Sequence, residues 1–193
     1  MRNFLFSLFF SVVLPSLCLA QEPCKHALVF GIGEYKDTSW TRINGDADVD
    51  YIIAMLKDVG YSDIFTLKNE AATKEAMVKA FKELEARCNN GDIVYVHYSG
   101  HGQQMTDLNG DESFKWKGEQ AKWDGAWIPY DAYRKPRETY RGEKHLVDDE
   151  VNMLLTDIRN KIGVGGKMLV VVDACHSGDA TRGQGETVRG VED

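Results

Sequence analysis

Two residues of this 193-residue chain, Cys175 and His101, sit where nucleophilic catalysis could be built. Cys175 follows Met168 to Val172, an unbroken apolar run rich in β-branched residues. Such a run reads as a strand buried on both faces of a parallel sheet. It stops at Asp173, and Ala174-Cys175-His176-Ser177-Gly178 are small or polar. Ligands and catalysts in open α/β sheets gather past the carboxyl ends of the strands, so Cys175 is delivered where a nucleophile is useful. A second run, Ile93 to Tyr98, breaks into Ser99-Gly100-His101-Gly102. If the two strands are neighbours in one parallel sheet, His101 and Cys175 emerge at the same edge. An imidazole there can take the thiol proton or stabilise the thiolate, which is the attacking species. The glycines flanking His101 let the backbone bend sharply and approach a substrate. A lone cysteine is more often a small buried apolar residue, and a lone histidine a satisfied core one. Two strand exits, one ending in His and one in Cys, favour the catalytic pair. His176 is a rival base by adjacency, but neighbours on a strand exit point apart.

The elements that must carry these residues alternate between strand and helix. His26 to Ile32 reads as a first strand, ending in a loop over 34–41. The Gly31-Ile32-Gly33 there lacks the third glycine and the helix of a dinucleotide fingerprint. Asn44 to Val59 reads as a helix with Asn44 as cap and Val49, Ile52, Ile53 and Leu56 on one face. Its first turns carry Asp46, Asp48 and Asp50, more acids than the helix dipole alone calls for. Ile64 to Leu67 is a short strand. Thr73 to Arg87 is a helix with Met77, Phe81 and Leu84 inward. Residues 103–123 read as a long polar loop, whose Asp107 to Glu112 carries only the start of an EF-hand pattern. Trp116, Trp123 and Trp127 are candidates to wall a cleft. Ala126 to Pro129 reads as a short strand kept to an irregular position by its proline. Leu146 to Glu150 leads into a helix ending near Ile162, and residues 163–166 turn into the strand before Cys175. The alternation predicts a three-layer α/β/α fold with a mostly parallel sheet and right-handed crossovers. No internal repeat is visible.

Tyr98-Ser99-Gly100-His101-Gly102 and Asp173-Ala174-Cys175-His176-Ser177-Gly178 resemble the two catalytic motifs of the metacaspases and their bacterial relatives, cysteine peptidases of the caspase fold. The resemblance runs from about Ala27 to Gly183. Caspases proper carry Gln-Ala-Cys at the nucleophile; Asp173 replaces that Gln here. The resemblance implies amide hydrolysis, with Cys175 attacking and His101 as base and then acid. It implies an oxyanion hole from the N–H groups of Gly102 and Cys175. Asp173, two residues before the nucleophile, would flank the S1 pocket and bind Lys or Arg at P1. Ser99 matches the family's pocket serine. Asp48 matches its pocket acid, with Asp46 the fallback, although Ala47 departs from the family's Asn-Asp pair. Such acids select a cation over the neutral side chain of an asparaginyl-type ligase. Many metacaspases need calcium, and Asp124, Asp148 and Asp149 resemble its ligands. A helix start, capped by Asp148 with Asp149 and Glu150 in the first turn, explains the last two equally well. The resemblance also implies a smaller C-terminal region that completes the groove. Its strands are not recognisable after Cys175, which leaves a non-enzymatic, partner-dependent binding domain as the alternative reading.

The net charge of −7 argues against nucleic acid as a partner and suits a protein or peptide substrate with a basic P1 residue. Residues 1–20 read as a signal peptide: Arg2, an apolar core from Phe4 to Val13, and Cys18-Leu19-Ala20 before a cleavage point. The expected location is therefore the periplasm or the exterior, with an uncleaved tether as the minor alternative. Residues 21–183 are the expected catalytic domain and 184–193 a polar tail. Cleavage would leave Cys24, Cys88 and Cys175, with Cys175 free and the other two either bridged or unpaired.

Overall fold

The computed structural model describes residues 22–106, 115–116, 119–120 and 123–174. Residues 1–21, where a signal peptide is expected, Cys175 with the residues after it, and Asp107 to Glu112 lie outside the described residues. In chain order the elements are β1 (Lys25–Gly31), α1 (Gly45–Asp58), β2 (Asp63–Lys68), α2 (Lys74–Arg87), β3 (Ile93–Ser99), β4 (Gly102–Thr106), β5 (Lys115–Trp116), β6 (Glu119–Gln120), β7 (Trp123–Trp127), β8 (Leu146–Val147), α3 (Asp148–Ile162) and β9 (Lys167–Asp173).

Four strands form a parallel sheet in the order β2-β1-β3-β9. Side chains alternate across it, as a period of two requires. Ala27, Val29 and Tyr95 face α1 and pack on Val49 and Leu56. Leu28, Phe30, Val96 and Tyr98 face the other way, onto Met77, Phe81, Leu84, Leu155 and Ile158 of α2 and α3. The three layers and the inward residues of α1 and α2 are those expected from the sequence. Each helix follows its local chemistry. Thr73 caps α2, its hydroxyl accepting the Ala76 amide at 3.3 Å. The cap of α3 is Val147, not Asp148: all three acids, Asp148, Asp149 and Glu150, lie inside the first turn, and Asp148 Oδ1 accepts the Asp149 amide at 3.1 Å. The helix dipole favours them there.

Three expectations need correction. The polar stretch after His101 is not all loop: β4 pairs antiparallel with β7, and β7 with β8. It was not recognisable because both faces of this small sheet mix polar and apolar residues, so β4 and β7 show no clean alternation. Trp127 walls no cleft; it is buried and stacks on Tyr98 with ring centroids 4.7 Å apart. β9 is not buried on both faces: among the described residues it is an edge strand, and Leu169 is 57 % exposed. Cys24 and Cys88 are both free thiols.

The start of α1 is set against the sheet by two glycines. A Cβ on Gly45 would lie 2.5 Å from the Ser99 carbonyl and 2.7 Å from that of Ile32, and one on Gly31 would lie 2.4 Å from the Gly45 carbonyl. This close approach brings the first turns of α1 to the carboxyl ends of β1 and β3. Gly45→Ala is expected to push the helix outward and cost about 1–3 kcal/mol, the usual penalty for overpacking a tight site. A urea titration of the variant checks it; an unchanged midpoint would mean that the helix start is not held this closely.

Candidate active site

His101 leaves the end of β3 and is clamped through its own backbone. Its N–H donates to the Tyr35 hydroxyl at 2.7 Å. Its carbonyl accepts from the Tyr98 hydroxyl at 2.6 Å and from the Ile128 amide at 3.1 Å. The imidazole stacks on Trp40, centroids 5.1 Å apart at 26°. Trp40 is fixed in turn by donating its indole N–H to the Ala132 carbonyl at 3.0 Å. His101 Nε2 lies 2.7 Å from the Thr41 carbonyl. A carbonyl only accepts, so Nε2 carries the proton and Nδ1 is left to accept one. Tyr35, Trp40 and Thr41 were not singled out in the sequence. The available signal was two aromatic residues in an otherwise polar loop after the carboxyl end of β1, the edge at which His101 emerges.

The strand leading to Cys175 runs beside the strand leading to His101. In the β3–β9 ladder Ser99 pairs with Asp173, and the Gly100 amide donates to the Asp173 carbonyl at 3.2 Å. Each partner stands two residues before its catalytic candidate. Cys175 itself, as nucleophile and as oxyanion donor, lies outside the described residues. Gly102 is described. The Ile128 amide bonds the His101 carbonyl, so the Gly102–Trp127 pair that follows is a non-hydrogen-bonded one. Gly102 therefore turns its N–H away from β7.

Three of the proposed pocket residues gather on the α1 side of this edge. The buried Ser99 hydroxyl donates to Asp48 Oδ2 at 2.8 Å. Asp173 is Ser99's register partner and is exposed. Asp46 serves the β1–α1 loop instead: its Oδ2 accepts from the Asn69 side-chain amide at 3.2 Å and faces Arg42 at 3.7 Å. Asp48 is thus the helix acid aimed at Ser99. Beneath them lies His97, 4 % exposed, its Nδ1 3.3 Å from the Tyr95 hydroxyl. Burial holds its pKa below the usual imidazole range, although the Asp173 and Asp48 carboxylates pull the other way. No zinc reading attaches to it, since His97 is inside a strand and His101 lies beyond its end.

His145 resembles His97. It donates from Nε2 to the Gln103 side-chain carbonyl at 3.1 Å and accepts the Tyr140 hydroxyl at Nδ1, 2.8 Å away. Burial lowers its pKa too. Both imidazoles titrate near 6.5 once unfolded. Below that value the unfolded chain binds protons that the folded chain refuses, so stability is full above about pH 6.5 and falls as the pH drops. Asp37 extends the loss below about pH 4: burial would raise its carboxyl, but the Arg134 and Ser39 amides outweigh burial and hold it low. Urea midpoints are expected to be flat above pH 7 and to fall by pH 5.5, with His145→Gln flattening that first step. A midpoint that rises towards pH 5.5 would contradict the neutral assignment.

Asp124 on β7 and Asp148 at the start of α3 are buried, 7 % and 2 % exposed, and Asp149 follows in the same helical turn. Carboxylate oxygens are the hard donors that calcium takes. Among the described residues the three carboxylates do not gather as a set within 4.8 Å of one another.

The model of the caspase-domain family matches residues 24–193. Metacaspase-1 of Eremothecium gossypii is 32 % identical over 108 residues, covering 56 % of this chain and 20 % of that protein. Metacaspase-1 of Meyerozyma guilliermondii is 26 % identical over 164 residues, covering 81 % of this chain and 36 % of the relative. The chain thus spans roughly a fifth to a third of the curated relatives it matches. A crystal structure of a Geobacter sulfurreducens protein superposes with a TM-score of 0.60 at 29 % identity, over 81 % of this chain and 52 % of that one.

Proposed function

The chain belongs to the caspase-domain family, and on that premise we propose that it is the catalytic part of a metacaspase-like cysteine endopeptidase that cleaves after Arg or Lys. The observation that carries this reading is the Ser99–Asp173 register, since both strands then exit side by side towards His101 and Cys175. The Cys175 thiol gives its proton to His101 Nδ1, the nitrogen left open because Nε2–H is engaged by Thr41, and the resulting thiolate attacks the scissile carbonyl carbon. The tetrahedral oxyanion takes hydrogen bonds from the Gly102 and Cys175 amides, each worth on the order of a hundredfold or more in rate. His101 then returns the proton to the leaving amine, and water hydrolyses the thioester with His101 again as base. A Lys or Arg side chain at P1 meets Asp173 and the Ser99-held Asp48.

Asp124, Asp148 and Asp149 would hold a calcium ion. Bound there, it would offset the negative charge of these carboxylates. The chain is exported and reaches an extracytoplasmic substrate. The test is a fluorogenic peptide panel with Arg, Lys, Asp or Asn at P1, run with calcium and with chelator. Cleavage after Arg and Lys supports the reading. Cleavage after Asp or Asn removes the acidic-pocket assignment, and equal rates with chelator remove calcium.

A second reading is a binding domain whose groove another segment completes. The exposed Leu169 on β9 favours it, because an apolar strand seldom ends a sheet. Silence across the panel from a folded chain, relieved by a supplied C-terminal small-subunit segment, would identify that partner.

A further inference from the structure

At the opposite end of the sheet from the candidate active site, Cys24, His26 and Asp92 form a cluster whose ligand atoms all lie within 4.8 Å of one another. Cys24 is exposed and precedes β1; His26 is buried on β1; Asp92 is buried just before β3. Asp63, on β2, completes the surroundings.

The hydrogen bonds fix the state of the imidazole. His26 Nδ1 is 2.6 Å from Asp63 Oδ2, which also accepts from Arg87 Nε at 3.1 Å. A carboxylate in that position only accepts, so Nδ1 carries a proton. His26 Nε2 then faces Asp92 Oδ2 at 3.2 Å. Asp92 is held by two backbone amides: its Oδ1 accepts from the Cys24 N–H at 2.9 Å and its Oδ2 from the Asn89 N–H at 2.7 Å. A proton or a metal ion can bridge Nε2 and Oδ2. A charge-assisted N–H···O bond closes to about 2.7–2.9 Å. Two ligands on arms of about 2.0–2.2 Å at a tetrahedral angle stand roughly 3.3–3.5 Å apart. The observed 3.2 Å lies at the long end of the N–H···O range and just under the ligand-to-ligand span, so it accommodates either. A sulfur, a nitrogen and a carboxylate oxygen are a borderline-soft donor set suited to zinc rather than calcium or magnesium. Asp63 is placed as the outer carboxylate that orients a metal-bound histidine. Cys88 is buried and is not among the clustered ligand atoms.

We propose that Cys24, His26 and Asp92 bind a zinc-class divalent cation, which pins the leading ends of β1 and β3, with water as the fourth ligand on the exposed Cys24 side. The site is independent of the peptidase reading and lies on the far edge of the sheet.

The test is a competitive zinc titration of the full chain carrying Cys175→Ala, which removes the candidate catalytic thiol as a competing ligand. One equivalent is expected to bind, tightening as pH rises because the thiolate is the ligand. Cys24→Ser changes an exposed residue and spares the fold; it is expected to weaken binding by about a hundredfold or more. Asp63→Asn is expected to weaken it about tenfold. Cobalt substitution gives a second readout, a near-ultraviolet thiolate-to-metal band absent from Cys24→Ser. Zinc binding unchanged by Cys24→Ser, or no binding by the parent chain, would overturn the proposal and leave His26 as a hydrogen-bonded link between Asp63 and Asp92.

Discussion

Replacing His101 with alanine is expected to lower kcat/KM on an arginyl peptide by on the order of a thousandfold or more, and Cys175→Ala to abolish turnover. The histidine effect is large because one ring does two jobs in sequence, taking the thiol proton and returning it to the leaving amine. The surrounding structure is committed to that ring. Two hydroxyls and an amide hold its backbone, Trp40 stacks on its face, and the Thr41 carbonyl fixes its tautomer. None of these contacts is needed to fold β3, whose own ladder ends at Ser99. The variant should therefore melt within a few degrees of the parent. Alkylation separates the chemical role from a structural one. An unassisted thiol near pKa 8.5 is almost fully protonated at pH 6. Iodoacetamide should thus modify Cys175 readily at pH 6 in the parent and slowly in His101→Ala. Equal alkylation in both, or an unchanged kcat/KM, would remove His101 from the base role and point to His176.

The parts of this site that were legible in the sequence are those encoded locally. An apolar β-branched run that breaks into Ser-Gly-His-Gly or Asp-Ala-Cys-His is read from a few consecutive residues, and the β3–β9 register then follows from making the two strands neighbours. The inward faces of α1 and α2 were legible for the same reason, since a period of 3.6 needs only one helix to declare itself. The cradle of His101 was not. Tyr35 and Thr41 lie 66 and 60 residues from it in sequence, and nothing near them announces the contact. The small sheet was hidden too, because β4 and β7 are short and half polar, and two-residue β8 has no period at all. The edge position of β9 could not be read from its own residues either, since apolarity reports what a strand should pack against and not where in a sheet it stands. The Cys24–His26–Asp92 cluster draws on three positions, one of them 66 residues beyond His26. No short motif spans them.

Asp48→Asn is expected to reduce kcat/KM on substrates with Arg or Lys at P1 by on the order of a hundredfold, while a substrate with a neutral P1 residue changes by less than about threefold. The contrast between substrates matters more than the size of the loss. Asp48 is half-buried and receives the Ser99 hydroxyl at 2.8 Å, so its carboxylate is both desolvated and aimed. Removing its charge leaves a cationic P1 side chain in the pocket with one partner fewer, and the shape is kept. Asp173 is exposed, and solvent screens it. Asp173→Asn should thus cost less than Asp48→Asn, about tenfold. In the proposed pocket the two carboxylates would meet the same P1 side chain, so the double variant should fall short of the product of the single effects. Ser99→Ala removes the hydroxyl that orients Asp48 and keeps the charge; about a tenfold loss is expected, again confined to basic P1 residues. An equal fall on basic and neutral substrates would assign Asp48 to holding α1 against the sheet, a role that the Gly45 contact with Ser99 already supplies. An equal fall would therefore overturn the acidic pocket without touching the Cys175–His101 pair.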